Sequence, residues 1–472
     1  MKKLLFGLLS FSFIGFLFSA DVTIYNDNLG LVRELRKFNF RSGQNEIVVS
    51  DVPSHIDPTS VHFKSLVDPD SVSVIEQNFQ YDLINQEKIL EKYLGQEIEL
   101  ERFTGVNGDR RELMKGILLS KNGGKVLQVG KKIYLNPPGN PILPELPEGL
   151  LTKPTLLWQV HAKKAGEQNC ELSYLTSGMG WSSDYVLVSN TNDDKMDLNA
   201  WVTITNNSGA SFNEAKLKLV AGDVNRVQNL ERSHQTKRNV MMADAVMESA
   251  APQFSEKSFF EYHLYTLQRP VTLKQNEIKQ IEMASAAHVP LKKIFVYDGS
   301  QGWYGGYDEY RRSDFNYGTG SDTKVFVVLE FKNSKENNLG LPLPKGRVRV
   351  YKKDTDGSVE FIGEDWIDHT AKDERVRIKM GNAFDVVGER KRTNFVTDKK
   401  SSTESFEIKL RNHKASDVVV TVVEHLYRWN EWKILDASHK WDKKESQTME
   451  FQIPVKKDGE ATLAYTVKYT WP

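Results

Sequence analysis

The chain has 472 residues, 63 of them basic and 63 acidic, with 27% charged overall. That length allows a substantial core and about three domains, and the even charge balance excludes the clustered positive footprint of a nucleic-acid-binding protein. A single cysteine, Cys170, cannot form an intramolecular disulfide, so the fold must rest on its core.

The first 20 residues, MKKLLFGLLSFSFIGFLFSA, place two lysines before an apolar run and end on Ser19-Ala20, the pattern of a cleavable signal peptide. No cysteine follows the run, so lipoprotein attachment is closed to this chain. The sequence therefore predicts an exported protein, periplasmic or extracellular, with no transmembrane segment after cleavage. From residue 21 onward, short runs rich in Val, Ile, Phe and Tyr recur between Gly, Asn, Asp and Pro, which predicts an all-β chain.

An N-terminal β domain is expected over 21–93, with helical spacing only at 81–95, where Leu83, Ile84, Ile89, Leu90, Tyr93 and Leu94 line one face and Gly95 supplies the stop. That short helix reads as a connector. Residues 94–136 carry several short strands and an Asn-Gly-Gly hairpin at 122–124, which predicts a small barrel of SH3 or OB type. Phe103 and Tyr134 are too few rings for a nucleic-acid stacking platform there. A proline-rich linker is expected over 137–154, then a β-sandwich over 155–290 interrupted by a loop at 229–257 that carries Met241, Met242 and Met247. A second sandwich fills 291–472. Three stretches, at 201–220, 329–351 and 406–425, each run from an alternating strand into an Asn-led turn and back into a strand. Their unequal spacing excludes a solenoid and favours tandem sandwiches of immunoglobulin-like topology.

Seven segments carry a family resemblance: TIYNDNLGLVRE (23–34), DVPSHIDPTSVHF (51–63), EQNFQYDL (76–83), LSYLTSGMGWSSDYVLV (172–188), NNSGASFNEAKLKLVAGDVNRV (206–227), YHLYTLQRPVTL (262–273) and GEDWIDHTAKDE (363–374). Together they resemble exported bacterial proteins that carry a domain of unknown function and are related to the mucoidy-inhibitor-like proteins. The resemblance implies a multi-domain β protein of the cell envelope and supplies no catalytic residues.

The residues themselves show no zinc H-E-x-x-H pair, nucleophile elbow, phosphate loop or dinucleotide fingerprint. Ser321 and Lys324 have the Ser-x-x-Lys spacing, but a strand begins where that chemistry needs a helix turn. The densest acidic cluster is GEDWIDHT, 363–370. Read as a strand, it sends Glu364, Trp366 and Asp368 to one face and Asp365, Ile367 and His369 to the other, so its ligands do not converge. The clusters at 190–197 and 354–358 lack the later glutamate of a calcium loop and read as turns. No catalytic residue, metal site or cofactor is predicted.

The recognition candidate is the loop at 298–322, where Trp303, Tyr304, Tyr307 and Tyr310 stand among glycines and arginines, rings suited to packing on sugars or on a protein partner. The reading is a non-catalytic envelope protein that binds a glycan or a protein through loops on β-sandwich domains. The alternative is an envelope hydrolase or transferase whose site is assembled from distant residues. An outer-membrane barrel is the outlier, suggested by the alternation of Leu463, Tyr465, Val467, Tyr469 and Trp471.

Overall fold

The computed structural model describes residues 20–81, 84–104, 110–145, 147, 151, 153–222, 224–225, 253–300 and 313–472. Across these residues the chain is all-β, built from several sheets and one α-helix. It divides into two compact units. One comprises the described residues up to Trp181 with Ile204–Val220 and Thr266–Lys279; the other comprises Ser182–Thr203, Ala221–Tyr265 and Gln280–Pro472.

In the first unit, Asp21–Tyr25 pairs in parallel with Phe212–Ala221 and antiparallel with Leu29–Phe40. Leu29–Phe40 pairs in turn with Gly166–Thr176, which pairs with His62–Ser65. Cys170 lies on Gly166–Thr176, fully buried and unbonded to any other sulfur, and burial pushes its thiol pKa up to about 11. A separate sheet sets Thr155–Ala162 between Gly43–Ser50 and Val72–Gln80.

The barrel expected over 94–136 is instead an open meander. Its five strands run in the order Asn140–Ile142, Glu97–Thr104, Arg110–Ser120, Val126–Val129 and Lys132–Leu135, and among the described residues its two edges do not pair. The helix explains why closure is unnecessary. Gln86–Lys92, capped by the Asn85 side chain on the Lys88 amide, drops Leu90 and Tyr93 onto Ile98, Leu100, Leu118 and Leu127, so one face of the sheet is already covered. It is shorter than the 81–95 expectation and is a packing element, not a mere connector. Gly95 stops the chain at φ +82°, a backbone conformation that side chains with a Cβ resist. The proline-rich stretch also contributes a strand, with Pro141 opposite Leu100. An edge tolerates proline because the missing N–H would face solvent.

The second unit holds the greater part of a sheet ordered Glu277–Pro290, Lys195–Asn206, Met179–Ser189, Gly346–Lys353 and Val359–Ile367. Beside it in sequence lies a nine-stranded sheet whose order is Trp432–Ala437, Gly459–Thr470, Ser401–Asn412, Arg375–Thr397, Lys324–Lys332, Lys292–Tyr297, Val418–His425, Thr448–Val455 and Trp441–Glu445. This sheet bends back so that its two arms share one core. Phe451 from one arm lies 5.8 Å from Tyr465 of the other, and the edge tryptophans Trp432 and Trp441 approach to 5.9 Å. Gly388 is required on the long strand, because a Cβ there would stand 2.2 Å from the Tyr297 ring. The C-terminal strand buries Leu463, Tyr465, Val467, Tyr469 and Trp471 on this core. It lies one strand in from the edge of an open sheet, and no sheet of described residues closes into a barrel.

The three Asn-led turns share a physical device. Asn206, Asn333 and Asn412 are each buried, and each turns its side-chain amide onto backbone carbonyls. Asn206 donates to Ala210 and Leu273 at 2.9 and 3.1 Å, Asn333 to Leu341 and Ala371 at 2.8 and 3.1 Å, and Asn412 to Ser416 and Lys456 at 2.9 and 3.0 Å. In each, the Oδ1 accepts from a backbone N–H within the turn: Ser208, Gly340 and Lys414. The side chain thus replaces ladder hydrogen bonds where the chain leaves one strand for the next. Asn412→Ala should destabilise by about 3 kcal/mol in urea unfolding, since buried carbonyls lose their donors. The neighbouring exposed His413→Ala should stay within about 0.5 kcal/mol of wild type.

Candidate functional site

Strand alternation in the nine-stranded sheet should put apolar side chains inward, and for most positions it does. Val418, Val420 and Val422 are buried in phase, and the same phase then buries Glu424, Leu426 and Arg428. On the facing arm Phe406, Ile408 and Leu410 are buried in phase with Glu404, and Arg390 and Arg392 project from the long strand opposite Ile408 and Phe406. Three guanidiniums and two carboxylates therefore occupy core positions at one end of the sheet.

The pairing is close. Arg390 Nε donates to both oxygens of Glu424, at 2.9 and 3.0 Å, and Tyr465 donates its hydroxyl to the same carboxylate. Glu404 Oε1 accepts from Arg428 Nη2 at 2.7 Å and from Arg392 Nη1 at 3.2 Å. The positive charge in excess of the carboxylates meets backbone carbonyls and ring faces. Arg390 Nη1 donates to the Gly318 carbonyl at 2.7 Å, and Arg428 donates to the carbonyls of Asp314 and Tyr317, each at 3.0 Å. Arg390 lies 3.9 Å over Phe406, and Arg392 lies between Phe315 and Phe395 at 4.4 and 4.8 Å. Burial and the charge of Glu424 hold the Tyr465 hydroxyl well above its ordinary pKa, so it stays a donor.

A second constellation adjoins the first. His425 Nε2 meets Asp298 Oδ2 at 2.9 Å and its Nδ1 meets the Tyr427 hydroxyl at 2.9 Å, with the two rings stacked at 5.0 Å. Burial pulls the imidazole pKa down, but the hydrogen bond and charge of Asp298, with Glu424 behind, outweigh it and leave His425 above its usual 6.5. An Asp-His-Tyr relay is a form that general acid–base chemistry uses. Here, however, the void bordered by Arg390, Glu404, His425, Tyr427 and Arg428 measures about 10 Å³, room for about one water molecule and for no substrate.

What these groups hold are the described ends, 298–300 and 313–322, of the loop at 298–322. Asp298 begins it, Gly299 accepts from the Asp322 amide at 2.9 Å, and Asp322 accepts from the Tyr297 hydroxyl at 2.7 Å. The carbonyls of 314, 317 and 318 are gripped by Arg428 and Arg390. Phe315 remains 63% exposed while its edge meets Phe395 at 5.7 Å. Trp303, Tyr304, Tyr307 and Tyr310 lie outside the described residues. So do Met241, Met242 and Met247 and the expected signal peptide up to residue 19.

The remaining sequence candidates are structural. In GEDWIDHT the predicted alternation holds as far as the strand runs, with Glu364 and Trp366 exposed and Ile367 buried, but the strand ends at Ile367 and His369, expected on the inner face, is exposed. Asp365 accepts from the Lys379 amide at 2.7 Å, Glu364 approaches Arg349 at 3.5 Å, and His369 Nδ1 accepts from the Lys345 amide at 3.2 Å. In 190–197, Asp193 is held by Lys293 and Lys352, and Asp356-Gly357 forms the hairpin turn between Gly346–Lys353 and Val359–Ile367, with Gly357 at φ +91°. Among the described residues no three His, Cys, Asp or Glu side chains are grouped to hold a metal ion. Sequence reading missed the Arg–Glu network. Its one visible signal was phase: Glu424 and Arg428 continue the period-two run of Val418, Val420 and Val422, and Glu404 that of Phe406, Ile408 and Leu410.

Fold and site together define a multi-sheet β protein that buries a charged network to position a surface loop. The chain belongs to the family described as a domain of unknown function, DUF4139, whose model matches residues 170–472. No curated protein matches it.

Two outcomes are expected of this site. Glu424→Gln keeps the shape but strands the buried Arg390 charge, and should lower unfolding free energy by about 3–5 kcal/mol. Because the folded His425 pKa lies above its unfolded value, the stability this residue contributes is complete below about pH 6.5 and is lost as pH rises through the folded value. The melting-temperature gap between wild type and His425→Gln should accordingly narrow as pH is raised above about 6.5; a gap independent of pH would contradict the Asp298 pairing.

Proposed function

We propose that this chain is an exported, non-catalytic protein of the cell envelope that binds a glycan or a protein partner through loops presented by its β domains. The observation that carries the reading is the fastening of the 298–322 loop. Its described ends are held by Asp298 on His425 and by Arg390 and Arg428 on the carbonyls of 314, 317 and 318. Buried ion pairs contribute little net stability compared with apolar packing, and one of their established uses is to specify a single conformation. A network of that kind at the base of a loop suits recognition, where pre-organising the loop limits the entropy lost on binding. The void of about 10 Å³ beside the Asp-His-Tyr relay weighs against the hydrolase or transferase alternative.

Export to the periplasm or beyond rests on the signal-peptide pattern of residues 1–20. Relationship to the mucoidy-inhibitor-like proteins rests on the sequence segments quoted above. Immunoglobulin-like topology is the assignment we favour for the folded nine-stranded sheet, supported by its two arms around one core. No helix among the described residues is long and apolar enough to cross a membrane.

The test is capture of envelope glycans on an array, and of envelope proteins by crosslinking, with wild type and Trp303→Ala/Tyr307→Ala. The double variant should melt within about 1 °C of wild type and lose the captured ligand. Retention of every captured ligand by the double variant would overturn the loop as the binding element.

A further inference from the structure

The folded sheet has an outer face that the loop does not use. Strand pairing sets Lys292 opposite Glu330 and Glu330 opposite Arg377, and one step along it sets Ile294 opposite Val328 and Val328 opposite Lys379. On the next strands Val419, Thr421 and Val423 alternate with the core-facing Val418, Val420 and Val422. The result is a groove of about 870 Å³ with an aliphatic floor and a basic rim. Seven basic and four acidic side chains line it.

The acids are all engaged. Glu330 is nearly buried and is held by Arg375 at 3.1 Å and Arg377 at 2.8 Å, two guanidiniums on one carboxylate, and both remain more than half exposed. Asp365 accepts from the Lys379 amide, Asp417 from Lys456 at 2.8 Å, and Glu450 lies 3.6 Å from Lys444. Lys379 stands 3.5 Å over the Phe326 ring. The groove is therefore net positive after its own pairs are formed, and a low-dielectric floor strengthens the attraction of a carboxylate to that rim.

Composition also selects the partner. Sugar recognition favours flat aromatic faces, and the one ring among the lining residues, Phe295, is only half-exposed and packs against the core. Val328, Val419 and Val423 instead suit aliphatic side chains, and Val419 is 52% exposed. The floor strands are paired on both sides, so they offer no free edge for strand addition and recognition must run through side chains. We propose that this groove binds an extended, acidic polypeptide segment of a partner protein, with its aliphatic side chains on the valine floor and its carboxylates on Lys292, Arg375, Arg377 and Lys379.

The experiment measures fluorescence anisotropy of the full chain with three labelled probes: a short peptide alternating Glu and Val, its Lys–Val counterpart, and an oligogalacturonate of matched charge. Saturable binding of the Glu–Val peptide alone is expected, weakening at least about ten-fold between about 50 and 500 mM salt. Lys292→Glu/Val419→Glu, both at exposed positions, should weaken it about ten-fold or more at unchanged melting temperature. Lys292→Gln/Lys444→Gln is the milder second variant, expected to weaken it about three-fold, should the first fail to fold. No saturable binding of the Glu–Val peptide, equal binding by a folded variant, or oligogalacturonate binding as tight as the peptide would each overturn the proposal.

Discussion

Ionising Glu424 in a run of core valines carries a desolvation cost, and much of the surrounding arrangement offsets it. The carboxylate needs donors, so Arg390 and Tyr465 are drawn onto it. Drawing Arg390 in buries a guanidinium whose remaining N–H groups need acceptors, and the Gly318 carbonyl and the Phe406 face supply them. The same chain of requirements runs from Glu404 through Arg428 to the carbonyls of 314 and 317. A surface loop is thereby made part of the electrostatic balance of the core.

The bending of the nine-stranded sheet makes this possible. Two arms around one core bring Glu424 and Tyr465 together, although their strands stand on opposite sides of the long Arg375–Thr397 strand in the pairing order. The buried asparagines act at a smaller scale. Each lets the chain leave a strand with its backbone satisfied by a side chain, which allows corners to lie under the core instead of in solvent. Electrostatics at one end of the sheet and amide caps at its corners both use polar groups inside the protein, bonded to one another or to backbone carbonyls, to specify geometry.

Local chemistry was legible in the sequence where it acts over a few residues. The alternation of Leu463 through Trp471, the Gly95 stop, the Asp356-Gly357 turn and the alternation of Glu364 through Ile367 could all be read from spacing. Partnership across the chain could not. Alternation says which face of a strand is buried and is silent on its neighbour, so the parallel pairing of Asp21–Tyr25 with Phe212–Ala221 had no local sign. For the same reason several short strands after the helix suggested a barrel, when Leu90 and Tyr93 already supplied the cover that closure would have given. The Arg–Glu network escaped because charge was taken as a mark of solvent. Glu404 and Glu424 stand in phase with apolar neighbours, and only the partner arginines on another strand reveal why.

Cys170 has a practical consequence for the molecule as an experimental object. Its sulfur is wholly buried with a thiol pKa of about 11, so almost none of it is thiolate at neutral pH and no reagent reaches it while the sheet is intact. A cysteine placed at any exposed position would be the single reactive thiol of the native protein. Dyes, spin labels or crosslinkers could then be attached one site at a time without first removing the natural residue, and modification of Cys170 itself would report that the sheet around it had opened.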